Sequence, residues 1–195
     1  MAELADAHDS KSCEAIHAGS SPASGTIFIL ELFMNKVIII GCPGSGKSTF
    51  ARKLRDKTSL PLYYLDNIYH LPDKIDLSQE EFNKRIDEIT RTDSWIIDGC
   101  YFNNIKDRIE RCDTVFYFDL PPEICLKGAR SRIGIKREDF PWIEEEGDEK
   151  FYNYILNFNS SFKDRIEKML SEHKDKKIYI IKSHEEADSL AESIG

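Results

Sequence analysis

Short apolar runs punctuate this chain at intervals: Val37-Ile38-Ile39-Ile40, Leu62 to Leu65, Trp95-Ile96-Ile97, Thr114 to Phe118 and Lys177 to Ile181. Their length and their continuous apolar character suit strands buried on both faces of a parallel sheet. Between them the period changes to that of helices. Phe50 and Leu54 share a face opposite Arg52, Lys53 and Arg55, so a helix follows the first strand to about Lys57. Ser78-Gln79-Glu80-Glu81 reads as a capping box opening a helix through Ile89, with Phe82, Ile86 and Ile89 on one side. Pro122 suits the first turn of a helix running to about Ile133. A charged stretch from Gly134 to Glu149 separates it from a helical region, Phe151 to His173, and His184 to Ile194 closes the chain. Five strands joined through helices predict an α/β domain with right-handed crossovers. In such sheets ligands gather at the carboxyl ends of the strands, which places Asp66, Asp98 and Asp119 on one rim.

Residues 1–33 lack this periodicity; Ala, Ser, Asp and Gly dominate, with Pro22 and Gly25 among them. They read as a disordered extension. Residues 2–12 also resemble the peptide produced when a transfer-RNA gene is translated, which points to Met34 as the native start. The remaining stretch, 34–195, is expected to be one domain with a lid at about 134–150.

At 195 residues and a formal charge of −8, the chain lacks the clustered Lys and Arg that broad binding to duplex DNA requires. No run approaches the roughly 18 apolar residues of a membrane span. Cys13, Cys42, Cys100, Cys112 and Cys125 are odd in number and show no C-x-x-C spacing, so free thiols in a reducing cytoplasm are expected. His8, His17, His70, His173 and His184 show no metal-ligand spacing.

The most informative motif is Gly41-Cys42-Pro43-Gly44-Ser45-Gly46-Lys47-Ser48-Thr49. It fits the phosphate-binding pattern G-x-x-x-x-G-K-[ST] at every fixed position, between a strand and an amphipathic helix. Small residues let backbone N–H groups converge on an anion, and the helix dipole reinforces them. Lys47 is expected to reach the β- and γ-phosphates of ATP, and Ser48 to ligate the accompanying Mg²⁺. Oxidation of Cys42 would block this loop, although a small residue tolerated there is the plainer reading.

Asp98 ends an apolar strand in the manner of a Walker B aspartate holding Mg²⁺, or else caps the Asp98-Gly99 turn. Asp66 either orients or deprotonates an acceptor group, or caps the turn into Asn67. Asp119, before Pro121-Pro122, suits a structural strand end. Arg130, Arg132, Lys136 and Arg137 cluster around Gly134, forming either a cationic lid hinged at Gly128 or Gly134 or a solvated basic helix end. Arg108 reaches the acceptor site or pairs at the surface with Glu110 or Asp107. Tyr69 and Tyr101 follow the rim aspartates and are candidates to line an acceptor pocket.

With these residues in place, the region from Met34 onward resembles the bacterial topology modulation proteins of the FlaR type, small relatives of adenylate kinase. The likeness is carried by Gly41 to Thr49, Tyr64-Leu65-Asp66, Trp95 to Tyr101, Arg108, Asp113 to Asp119, Cys125-Leu126 and Asn157-Phe158. It implies a three-layer P-loop fold with strand order 2-3-1-4-5 and a short lid. Cys100 stands where members carry Asn, and Gly128 where they carry Arg, which leaves Arg132 in register as a lid cation with Arg130 as substitute. Two functions follow. One is an ATP- and Mg²⁺-dependent kinase for a nucleotide, nucleoside or similar small acceptor, using Lys47, Asp66, Asp98, Arg130, Arg132 and Arg137. The other is a nucleotide-responsive regulatory protein whose ATP-dependent lid is read by a macromolecular partner. A monomer or homodimer suits either.

Overall fold

The computed structural model describes residues 34–194; the expected extension, residues 1–33, lies outside the described residues. Five parallel strands, β1 (Lys36–Gly41), β2 (Leu62–Tyr64), β3 (Trp95–Asp98), β4 (Thr114–Phe118) and β5 (Lys177–Ile181), form one sheet in the order β2-β3-β1-β4-β5. That is the expected order. The three central strands are almost wholly buried, whereas β5 at the edge is only partly so. This gradient follows from position, since a central strand has neighbours on both edges and helices on both faces. Asp113 helps align the sheet: its Oδ2 accepts the N–H groups of Asn35 and Lys36 at 2.8 Å each.

Eight helices accompany the described strands: α1 (Lys47–Thr58), α2 (Leu65–Tyr69), α3 (Gln79–Thr90), α4 (Ile105–Arg111), α5 (Pro122–Arg130), α6 (Glu149–Leu156), α7 (Phe158–Ser171) and α8 (His184–Ser193). The Ser78 side chain caps α3 by accepting from the Glu81 N–H at 3.2 Å. On α1, Phe50 and Leu54 are buried, and the Phe50 ring packs edge-on against Phe116 and Phe118 of β4.

Four expectations change. Leu65 does not extend β2; it opens the five-residue helix α2. The segment after Asp98 contains α4, which the periodicity did not reveal because seven residues give barely two turns. The helix from Pro122 stops at Arg130 rather than Ile133. The long helical region is two helices, broken at Asn157 (φ −94°, ψ 2°), whose side-chain amide donates back to the Asn153 carbonyl. Residues 131–148 form no regular helix or strand, and they cross over the carboxyl ends of the sheet.

Candidate functional site

The site begins where β1 delivers the chain into the loop 41–46. Gly44 and Gly46 adopt positive φ (81° and 95°), so the main chain curls back on itself before α1. Gly46 caps α1 without a side chain, and the first turn of that helix carries no acid. Consequently the N–H groups of Gly44, Gly46, Lys47 and Ser48 donate to no acceptor among the described residues. Four donors of one helix end left open make an anion site by construction. The Ser45 hydroxyl is also buried without a hydrogen-bond partner. Lys47, almost buried, bends its Nζ to the Cys42 carbonyl at 3.4 Å.

Helix α5 presses on this loop from behind. A Cβ placed on Gly44 would lie 2.0 Å from the Cys125 carbonyl, and one on Gly128 would lie 2.2 Å from the Gly44 carbonyl. Each glycine is therefore the condition for the other's backbone to approach. Gly128 thus lies inside a packed helix, not at a hinge, and an arginine cannot take its place in this packing. Gly134 (φ 74°), with open space around it, does sit where the chain leaves that region and bonds its N–H to the Glu144 carbonyl at 2.8 Å.

Cys42 lends the loop only its main chain. Its thiol is buried, donating toward the Ile155 carbonyl at 3.8 Å, and its hydrogen bond with Cys125 and its burial hold its pKa far above the usual range. Thr49, exposed, accepts from Arg52 Nη2 at 3.2 Å.

Asp98 stands opposite Lys47 at the end of β3, 5% exposed. Burial lifts its carboxyl to about 6, against the pull of Lys47 and the Ser48 hydroxyl, while Asp66 and Asp139 add to the rise. Its Oδ1 has no hydrogen-bond partner. A buried carboxylate oxygen left unpartnered beside a serine hydroxyl and a phosphate-binding loop is the donor set a hard divalent cation such as Mg²⁺ takes, with phosphate oxygens supplying the rest. Among the described residues no group of three or more His, Cys, Asp or Glu forms a metal cage.

Asp66 lies on the first turn of α2, where its Oδ1 accepts the Tyr101 hydroxyl at 2.9 Å. Burial, together with the charge and hydrogen bond of Asp66, keeps that phenol protonated far beyond its ordinary range. Tyr101 packs against Tyr69 (ring centroids 5.4 Å) and Phe82 (4.9 Å). The segment carrying Tyr101 is pinned by Arg108. This residue is neither an acceptor ligand nor a surface partner of Glu110: it is fully buried, and its guanidinium donates to the carbonyls of Gly99 and Tyr101 at 2.9 Å and to Asn104 Oδ1 at 3.0 Å. Asp119 likewise stays structural, paired with Lys163 at 2.6 Å.

The four basic residues around Gly134 separate. Arg132 is half-buried, and its guanidinium makes no hydrogen bond or ion pair with any described residue; burial and neighbouring Arg137 lower its pKa, while Asp139, Asp98 and Asp66 oppose this. Arg137 is engaged, at 3.2 Å from Asp139 and 2.8 Å from Glu144. Arg130 does not join the site; it is exposed and lies over the Tyr152 ring at 4.9 Å. Lys136 lines the cleft at its rim.

Asp139 escaped the sequence reading. It is 5% exposed and lies within reach of both Arg137 (3.2 Å) and Arg52 (3.4 Å), and nothing in its place after Lys136-Arg137-Glu138 marked it for this role, because Arg52 is 87 residues away in the chain. Around it the segment 134–148 is fastened across the site: Arg55 pairs with Glu138 at 2.5 Å, Asn67 donates to the Glu138 carbonyl at 2.7 Å, and Phe140 and Trp142 pack on the His70 ring. A cleft of about 660 Å³ remains between the phosphate loop, this segment and α8, lined by Ser48, Arg132, Ile135 and His184 among others. His184 donates from Nε2 to the Ser45 carbonyl at 3.1 Å and so ties α8 to the loop.

No known protein-family description matches the chain. A segment of 88 residues, 44% of the chain, is 27% identical to adenylate kinase of Thermotoga neapolitana, and it spans only 39% of that enzyme's length. Among solved structures, shikimate kinase from Bacteroides thetaiotaomicron superposes with a TM-score of 0.52 at 15% identity, covering 82% of this chain and 95% of that one. A gluconokinase from Sinorhizobium meliloti 1021 gives 0.51 at 11% identity (83% and 90% covered). Shikimate kinase from Acinetobacter baumannii, in complex with shikimate, gives 0.51 at 16% (86% and 94%). The chain therefore has the fold of the small P-loop kinases and a weak sequence likeness to adenylate kinase.

Proposed function

We propose that this protein is an ATP-dependent phosphotransferase acting on a small hydroxylated acceptor. The observation that carries the reading is the pairing of an open phosphate loop with a buried carboxylate, Asp98, whose Oδ1 is unpartnered, across from a second carboxylate, Asp66, and an unpaired guanidinium, Arg132. The adenylate, shikimate and gluconate kinases it is similar to supply the class of reaction. The triphosphate takes the open N–H groups of Gly44, Gly46, Lys47 and Ser48, with the Lys47 ammonium against its β- and γ-oxygens. Ser48 and Asp98 would hold Mg²⁺, which supplies neutralisation of charge on those oxygens. Asp66 receives the proton of the acceptor hydroxyl as that oxygen bonds to the γ-phosphorus. The bond from phosphorus to the β–γ bridging oxygen breaks, and ADP leaves with the electron pair. Arg132, unpaired and close to both carboxylates, disperses the charge that spreads over the equatorial oxygens.

Calorimetry with ATP and MgCl₂ and a coupled assay of ADP release across hydroxylated acceptors test this reading. Acceptor-dependent turnover should appear and fall by at least about 10³-fold in Lys47→Ala. Tight ATP binding with no acceptor-dependent turnover would count against a kinase.

A further inference from the structure

One peptide unit of the phosphate loop is not secured by the loop's own residues. Ser45 donates its N–H to the Cys42 carbonyl at 3.3 Å, and the Gly46 carbonyl accepts the Phe50 N–H at 3.1 Å. Between these two anchors lies the Ser45–Gly46 peptide. Its N–H is one of the open donors of the loop, and its carbonyl, in a trans peptide, points the opposite way. Gly46 (φ 95°) lacks the Cβ that would restrict rotation, and the buried Ser45 hydroxyl has no hydrogen-bond partner with which to brace the unit. A half-turn of this peptide would set a carbonyl oxygen where the anion needs a donor.

The brace comes from the last helix. His184 Nε2 lies 3.1 Å from the Ser45 carbonyl oxygen, across 139 residues of chain. A carbonyl only accepts, so Nε2 carries the proton. Among the described residues this is the one hydrogen bond that oxygen receives. The ring also closes on the glycine itself, since a Cβ on Gly46 would lie 3.3 Å from His184 Cδ2 and Nε2.

Fixed elements deliver the imidazole to that place. β5 ends on the same rim as β1, and Ser183 caps α8 by accepting the Glu186 N–H at 3.1 Å, while Glu186 Oε2 accepts the Lys182 N–H at 2.7 Å. Below the cap, Lys53 pairs with Asp188 at 2.7 Å and Lys57 donates to the Glu192 carbonyl at 3.2 Å, so α8 lies along α1. The partly exposed ring lines the cleft beside the loop.

We propose that His184 is a positioning residue for the phosphate grip: by donating to the Ser45 carbonyl it turns the Gly46 N–H toward the bound polyphosphate. Its contribution is to the phosphates and not to the base. This deepens the phosphotransferase reading and rests on its first element, a loop that holds the donor's phosphates.

Calorimetry of the full chain with ATP and magnesium, and with magnesium tripolyphosphate, which carries the phosphates without base or ribose, tests the proposal. His184→Phe keeps a ring but no donor, and it should raise Kd for both ligands by the same factor, roughly 5-fold, the loss of one hydrogen bond. His184→Gln, whose amide nitrogen reaches about as far as Nε2, should restore both affinities to near the wild-type values. His184→Asn, one bond shorter, should not, and it stands in for His184→Phe if that variant does not fold. In the ATP complex the Gly46 amide proton resonance should move upfield, away from its phosphate-bonded position, in His184→Phe and His184→Asn only. A loss confined to ATP would mean that the ring touches the base, and an equal loss that His184→Gln does not repair would mean that the ring and not its N–H matters; either overturns the proposal, as does unchanged affinity in the other two variants. If the affinities behave as expected but no acceptor is phosphorylated, the phosphotransferase reading falls and the role of His184 stands. Wild-type protein that binds neither ligand overturns both.

Discussion

At Asp98 the requirements of stability and of catalysis oppose each other. The carboxyl is lifted from its ordinary value of 3.8 to about 6 by burial. An acid whose folded-state pKa lies above its unfolded one binds its proton more tightly in the native state, so stability contributed by the neutral form is present below about pH 4 and is lost as pH rises through 6. In magnesium-free buffer, Asp98→Asn should therefore stabilise the protein at pH 7.5 by an amount on the order of 3 kcal/mol at most, two units at 1.36 kcal/mol each, while leaving stability near pH 4 little changed. Thermal melts at both pH values check this, and the same variant should lose magnesium-dependent ATP binding. The two arginines nearest the end of α5 make a second residue-scale contrast. Arg132→Ala should lower kcat by about 10²–10³-fold with little change in ATP affinity, whereas Arg130→Ala, removing a side chain that lies on Tyr152 outside the cleft, should leave steady-state kinetics unaltered. A kcat loss in the Arg130 variant as large as that for Arg132 would overturn the assignment.

Elements meet most tightly where α5 abuts the phosphate loop. Gly128→Ala introduces a methyl 2.2 Å from the Gly44 carbonyl. Because that contact is with main chain, the helix or the loop must move, at a cost of about 1–3 kcal/mol, and ATP affinity should fall with stability. Gly134→Ala, by contrast, meets no atom but must hold φ near 74°, so the cost is about 1 kcal/mol of backbone strain without weaker ATP binding. Denaturant melts paired with calorimetry separate the two cases. Element α4 and the loop before it depend on Arg108 in a similar way. Arg108→Met strands the Gly99 and Tyr101 carbonyls it now satisfies, and a loss of about 3–5 kcal/mol is expected, read by urea denaturation. This role was not legible beforehand: a bidentate arginine and a backbone-bonded one look alike in a sequence, and which carbonyls lie within reach depends on how the turn after Asp98 closes.

Across the whole molecule, loop, sheet rim, lid segment and α8 surround one cleft, so a ligand seated there joins parts distant in the chain. Saturating ATP and magnesium at about 100 times Kd should stabilise the protein by about 2.7 kcal/mol, a rise of roughly 5–10 °C in Tm for a domain of this size, and Lys47→Ala should abolish the shift. The strands and the phosphate loop were written locally: continuous apolar runs of four or five residues between turn signals suit buried strands, and the loop's glycines and lysine lie within nine residues of one another, while the strand order was what the family resemblance implied. Asp66 and Asp98 were legible too, because a parallel sheet sends every strand end to the same rim. Tertiary structure decided what depends on contacts between segments far apart in sequence. It set Arg132 free while engaging Arg137 and placing Arg130 on Tyr152, brought Asp139 between Arg52 and Arg137, and buried Arg108. It also made Gly128 a point of contact with Gly44 and not a hinge. Sequence period reports which face of an element is apolar; only the packing of one element on another determines which charge finds a partner and which is left for a ligand.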